Sequence, residues 1–416
     1  MNQSMNTADI REVVARVVAQ TPVTDLHTHL YAPAFGPLLL WGIDEMLTYH
    51  YLAAEVLRVS DMPYEAYWAL PKKQQAELIW RELFIERSPM SEACRGVLTA
   101  LDRLGLDMTE RDLNTHRDYF MDRRPEDHVD TVLKTANLKC VVMTNDPFDP
   151  LERPVWMNGF AGDKRFHAAL RLDALLNDWG RACATMREWG YDTEPGLGSK
   201  TVAEIRRLLD EWTQRMGALY MAASFPPDFA FPDDSPRGRI IESCVLPAGR
   251  DNGVPFAMMI GVKRNVNPAL KLAADGVGLS DVDAVARICA QYPDNRFMAT
   301  MLARENQHEL CVTARKFRNL MPFGCWWFLN NPSLIEEMTR MRMELLGLGF
   351  VPQHSDARVL DQVIYKWEHS RAIIAKVLAD KYADLIATGW SIEENEIARD
   401  AARLLDGNFW NFLGRN

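Results

Sequence analysis

What this 416-residue sequence lacks narrows it first. It contains no C-x-x-C pair, and its seven cysteines (Cys94, Cys140, Cys183, Cys244, Cys289, Cys311 and Cys325) are an odd number. Both facts argue against a disulfide frame and a structural zinc site, and for a reducing, cytoplasmic home. No segment reaches the roughly 18 uninterrupted apolar residues that a membrane span needs, so no membrane partner is expected. An apolar leader is missing too: Ile10, Val13, Val14, Val17 and Val18 follow helical spacing, the pattern of an amphipathic helix rather than a signal peptide. Blocks of like charge are absent, since 57 acidic and 47 basic residues are scattered to a net −10. That speaks against a nucleic-acid surface and leaves a small molecule as the natural partner. Neither a G-x-G-x-x-G fingerprint nor a Walker loop is present, which removes the usual phosphate cradles.

With 48% hydrophobic residues, the chain can bury a sizeable core. Its chemistry gathers around Thr24-Asp25-Leu26-His27-Thr28-His29-Leu30. If 23–28 is a strand, alternation turns His27 and His29 the same way at its end, as a chelating pair. A pair this short also fits one core histidine and one loop histidine. The carboxylate in His354-Ser355-Asp356, near the far end, favours the metal reading. Residues 31–130 carry almost no strand signal and read as a helical insertion. Beyond them, short β-rich runs alternate with amphipathic stretches such as 201–216 and 359–385.

Strands are expected at 23–28, 139–144, 166–171, 218–223, 255–261, 296–302, 321–327 and 348–354. Eight parallel strands with intervening helices favour a closed (β/α)8 (TIM) barrel over an open sheet. The expected partition is 1–30 for the first helix and strand, 31–130 for the insertion, and 131–416 for the rest of the barrel and the C-terminal helices. In such a barrel the chemistry sits at the C-terminal strand ends, and the six prolines between Phe225 and Pro255 suggest a long loop over that face. Asp356 is the natural third metal ligand; its plain alternative is a helix cap. Arg171 and Arg358 are candidate anchors for an acidic substrate, although either also fits a structural ion pair. His50-Tyr51 and Trp326-Trp327 read first as ordinary packing.

Taken together, these motifs resemble the uronate isomerases of the amidohydrolase superfamily over most of the chain. The likeness includes Asp25-Leu-His-Thr-His29, His50-Tyr51 with Arg58, and Thr144-Asn-Asp-Pro-Phe-Asp-Pro-Leu-Glu152. It continues in Arg171-Leu-Asp173, Gly261-Val-Lys-Arg-Asn265, Gly324-Cys-Trp-Trp-Phe328 and Ser355-Asp-Ala-Arg358. The resemblance implies a deformed, metal-dependent hydrolase-like barrel that interconverts an aldose uronate and its 2-keto isomer through an enediol. It implies His27, His29 and Asp356 as ligands of one divalent ion, zinc by expectation, with Arg171, Arg358, Trp326 and Trp327 on the substrate. His50 and Tyr51 would act from the insertion, and Asp356 or Tyr51 would move the proton. A homo-oligomer is an open expectation.

Two family segments are absent. Ala223-Ser-Phe-Pro-Pro227 replaces S-D-H-G, and Met258-Met-Ile-Gly261 replaces L-H-I-G. His354 reads either as a buried histidine bonded to a backbone carbonyl or as a partial compensation, orienting Asp356 or joining the metal. The rival readings are a metal-dependent hydrolase or lactonase acting on a sugar acid, and a non-catalytic barrel that only binds one.

Overall fold

The structure is a computed structural model and describes residues 7–160 and 162–414. Its frame is a seven-stranded sheet of β1 (Val23–Thr28), β2 (Leu138–Asn145), β3 (Phe166–Arg171), β4 (Met221–Phe225), β5 (Phe256–Ile260), β8 (Phe297–Met301) and β9 (Leu320–Pro322). The strands stand side by side in that order and pair in parallel throughout. A small antiparallel ribbon, β6 (Val262–Lys263) with β7 (Gly276–Val277), follows β5. Between β1 and β2 the only regular elements are helices, from Pro33–Leu38 to Pro125–Thr135.

Both faces of the sheet are apolar, which is why its strands read as near-continuous hydrophobic runs. Met221, Ala223, Phe225, Met258, Ile260, Phe297, Ala299 and Met301 face the helices. Tyr220, Ala222, Ala257, Met259 and Met298 alternate with them and face inward. The C-terminal segment adds Phe409 and Leu413 to that inner cluster. It is tied at the strands' N-terminal ends, where Asp406 accepts from Thr24 Oγ1 at 2.5 Å and from Lys139 at 2.9 Å.

Three expectations need correction. The stretch 348–354 is not a strand: only Val351 forms a bridge, to Phe323. Pro352 has no N–H to give a ladder, and a side chain takes the ladder's place: Gln353 Oε1 accepts from Cys325 N at 2.8 Å and from His354 N at 3.0 Å. On the other side Ser355 N donates to buried Asp25 at 3.0 Å, and His29 N donates to Ala357 O at 2.8 Å. The segment therefore bonds to both edges of the sheet without being regular.

The second correction concerns Phe225–Pro255, which is not a long loop. Residues 236–251 form a continuous helical run: Pro236 sits in its first turn, where a missing N–H is harmless, Pro247 follows the π-turn Ile241–Val245 within it, and Ile240, Ile241, Cys244 and Val245 are fully buried. The third is that β4 begins at Met221 rather than 218, because helix Ser199–Met216 ends on left-handed Gly217 and 218–220 complete the turn into the strand. All seven cysteines are free and buried. No helix among the described residues is long and apolar enough to cross a membrane.

Candidate active site

At the C-terminal ends of the strands a cavity of about 460 Å³ opens, within the range of small-molecule sites. His27, His29, His50, Arg171, Trp326, Trp327, Asp356 and Arg358 line it, together with Tyr49, Ser224 and Met259. Of the site residues read from sequence, only Tyr51 stands outside; it borders a smaller pocket behind, against Tyr365.

His27, His29 and Asp356 each offer one ligand atom, and these atoms lie within 4.8 Å of one another. Asp356 Oδ1 is 3.3 Å from His29 Nε2 and 3.7 Å from His27 Nε2. His27 Nε2 and Asp356 Oδ1 are buried with no hydrogen-bond partner. Buried polar atoms are normally satisfied, so orphaned atoms converging on one point fit a cation held between them. Burial holds His27 down to about 3 and His29 well below the usual imidazole range, so both rings are neutral, as ligands must be. Behind them, His27 Nδ1 lies 3.1 Å from the Tyr220 hydroxyl, and His29 Nδ1 lies 2.9 Å from Thr144 Oγ1. Sequence reading missed both hydroxyls, because nothing in the runs 218–223 and 139–144 marks Tyr220 or Thr144 out.

Asp356 has φ 52, a left-handed conformation that aspartate tolerates better than most residues. That twist ends the strand-like alternation, and with it the expectation for His354. Instead of sharing a face with Asp356, the His354 ring packs on His27, with centroids 5.1 Å apart, and on Phe323 at 5.4 Å. Neither of its ring nitrogens has a partner. His354 thus makes no hydrogen bond to Asp356 and falls outside the group of converging ligand atoms. A close approach to Gly324 seals the arrangement, since a Cβ there would fall 1.8 Å from His354 Cδ2.

Arg171 is gripped edge-on by Asp173, through Nε at 2.9 Å and Nη2 at 3.2 Å, and this carboxylate keeps it firmly protonated. His50 opens helix His50–Val59, and its Nε2 is buried and unpartnered. Burial first, then the Arg358 charge, lowers that imidazole to about 3. Trp327 Nε1 is likewise buried without a partner. Two donor-capable groups at the wall of a cavity suit a ligand rich in hydroxyls.

Beside Arg171 the loop after β2 is pinned by Glu152, which sequence reading carried only as the end of a motif. Its carboxyl accepts from Tyr31 at 2.6 Å, from Asn145 at 2.9 Å and from Asp146 N at 3.1 Å. Burial nevertheless raises it from 4.5 to about 7, with those hydrogen bonds opposing. A raised carboxyl favours the folded state fully below pH 4.5 and loses that contribution as pH climbs through 7. Over this window the loss is on the order of 3 kcal/mol. Glu152→Gln, which cannot ionise, is expected to flatten the fall in Tm between pH 5 and 8; parallel wild-type and variant profiles would show that Glu152 does not titrate there.

No protein-family model matches this sequence, and no curated protein matches it. Solved structures do. A uronate isomerase from Bacillus halodurans C-125 is 56% identical, with a TM-score of 0.98 over 100% of this chain and 98% of that one. A uronate isomerase from Thermotoga maritima shares 15% identity at a TM-score of 0.78, covering 97% of each chain. A glucuronate isomerase from Caulobacter crescentus shares 16% at 0.76, covering 98% of this chain and 94% of that one.

Proposed function

The chain belongs to the uronate isomerase family, and from that premise we propose that it interconverts an aldose uronate, of the glucuronate or galacturonate type, and its 2-keto isomer. The observation that carries the reading is the convergence of His27, His29 and Asp356 in a cavity that also holds Arg358. We read the sheet together with segment 351–357 as a (β/α)8 barrel, and residues 31–130 as its helical insertion. His27, His29 and Asp356 would hold one divalent ion, zinc by donor type, which when bound supplies positive charge next to a developing oxyanion.

The chain's own groups do the remaining work. Aldose–ketose exchange takes a proton from C2 and returns it to C1, so it needs a base within hydrogen-bond reach and a cation on the enediolate. Asp356 is the base in this reading, and Arg358, two residues on, faces the enediolate. Burial keeps the Tyr51 phenol far above its usual range, which disqualifies it as a base, and since it lies behind the cavity wall this reading gives it no proton to move. Arg171 receives the substrate carboxylate with the edge that Asp173 leaves free, and His50 and Trp327 meet hydroxyls. Met259 stands where the family carries a histidine, so one wall offers the sugar no polar contact.

Proton NMR in heavy water over a panel of uronates tests the reaction. Isomerisation replaces the C2 proton by deuterium, whereas a lactonase or a mere binder leaves it in place. Arg358→Met is expected to lower kcat/KM about 30- to 150-fold, roughly 2–3 kcal/mol, since a desolvated anion loses a charge-assisted partner. Arg358 is the cleaner test of the two arginines, because removing Arg171 also strands Asp173. Wild-type kinetics in the variant would remove Arg358 from the assignment.

A further inference from the structure

We propose that Tyr220 and Thr144 are positioning residues that fix His27 and His29 as Nδ1–H tautomers, so that both Nε2 lone pairs face Asp356. The argument is a count of protons. The Tyr220 hydroxyl donates to Leu26 O at 2.7 Å and lies 3.1 Å from His27 Nδ1. A carbonyl oxygen only accepts, and a hydroxyl has one hydrogen, so both contacts are made only if Nδ1 is the donor to Tyr220. The same count holds for the second ring. Thr144 Oγ1 donates to Thr28 O at 2.8 Å and lies 2.9 Å from His29 Nδ1, which must therefore carry the proton.

The arrangement is built twice from unrelated parts. Tyr220 precedes β4 and Thr144 belongs to β2, yet each hydroxyl returns its proton to the carbonyl one residue before the histidine it serves. Both hydroxyl residues are buried, at 0% and 2% exposure, so water does not compete for these bonds. The opposite tautomers would aim two Nε2–H groups at Asp356, but Asp356 Oδ1 and His27 Nε2 make no hydrogen bond at all. Locking the far nitrogen in this way prepares a neutral imidazole to ligate and holds its ring orientation.

The inference rests on the metal reading above, and two measurements separate them. Nitrogen-15 and carbon-13 NMR of labelled histidine in metal-free protein, with His27→Gln and His29→Gln as assignment controls, reads the tautomers directly. Nδ1 protonation of both rings is expected in the wild type. In Tyr220→Phe only His27 should shift toward the other tautomer, and in Thr144→Val only His29. Nε2 protonation in the wild type would overturn the proposal, and this reading does not depend on Tyr220→Phe or Thr144→Val folding.

Zinc affinity by chelator competition is the second measurement, with the Tm of the metal-free proteins as folding control. It should weaken roughly 10- to 100-fold in Tyr220→Phe and Thr144→Val and return close to wild type in Thr144→Ser, which keeps the hydroxyl. Unchanged affinity in both hydroxyl-less variants would also overturn it. Wild-type protein that takes up no zinc would refute the metal reading and leave the tautomer result to stand on its own.

Discussion

Asp356→Asn is expected to remove nearly all turnover while leaving the fold intact. The two halves of that outcome come from different properties of the residue. Structurally, asparagine is the residue most at ease with the left-handed φ of 52 at this position, and it has the same shape, so the backbone should not move. Chemically, the substitution removes the carboxylate that, among the described residues, lies within reach of both imidazoles, at 3.3 and 3.7 Å, and with it the proposed base. Loss of a ligand and of the proton acceptor together should cost about 5 kcal/mol, a fall in kcat/KM of at least roughly a thousandfold.

The accompanying metal analysis distinguishes the two roles. His27→Ala and His29→Ala should lose the ion along with activity, because each removes a donor and no acid–base group. A double histidine variant that retained full metal stoichiometry would exclude this cluster as the metal centre. Activity of Asp356→Asn within tenfold of wild type would exclude its role as base.

The second large effect is on stability and lies far from the cavity. Arg371 is 8% exposed and donates to five backbone carbonyls. Nη1 reaches Val18 O at 2.7 Å, Ala19 O at 3.3 Å and Thr21 O at 2.6 Å; Nη2 reaches Ala136 O at 3.3 Å and Asn137 O at 2.9 Å. These carbonyls close the C-terminal ends of helices Thr7–Gln20 and Pro125–Thr135, where unsatisfied C=O groups and the negative ends of two helix dipoles meet.

Burial lowers the guanidinium to about 10, so desolvating it is a real cost that the carbonyls offset. Methionine in its place fills the volume but leaves several buried acceptors without donors. The expected loss is about 4 kcal/mol in urea unfolding. Lysine should recover only part of it, since a single ammonium cannot fork between two helix ends. Unfolding of Arg371→Met within about 1 kcal/mol of wild type would show that water replaces the guanidinium there.

Much of this molecule was legible in its sequence where a single physical rule governs. β2, β3, β5 and β8 were placed within two residues because parallel strands buried on both faces leave mainly apolar runs, whereas β1, Val-Thr-Asp-Leu-His-Thr, was placed by its histidine pair. The His27, His29 and Asp356 cluster was legible because ligand chemistry demands those side chains whatever surrounds them. Reading failed where two rules compete. Proline signals loops, yet Pro236 opens a helix because the first turn has no use for its missing N–H, and Pro247 is carried inside the same run just after a π-turn.

Spacing by two implies a shared face only while the backbone stays extended. The positive φ at Asp356 breaks that condition and sends His354 elsewhere. The same effect exchanges Tyr49 for Tyr51 at the cavity wall: Tyr49 is the extended residue before its helix, at φ −61 and ψ 143, and Tyr51 is already inside it. Tyr220 and Thr144 could not be singled out at all. Their significance depends on contacts across 193 and 115 residues of chain.

Segment 351–357 gives this sheet an unusual kind of seam. A regular ladder is written in main-chain atoms that every residue carries, so no point substitution erases it. Here the bonds that fasten Cys325, His354 and Ser355 run to the side chains of Gln353 and Asp25. The seam is thereby shared between main-chain bonds, such as Gly324 N to Val351 O and Asp356 N to His27 O, and bonds that exist only while Gln353 and Asp25 are kept. Asp25 belongs to the strand that carries both histidines, and Ser355 adjoins Asp356. The side-chain part of the fastening and the chemistry are therefore neighbours along the chain, so a change at Asp25 acts on the segment that carries Asp356.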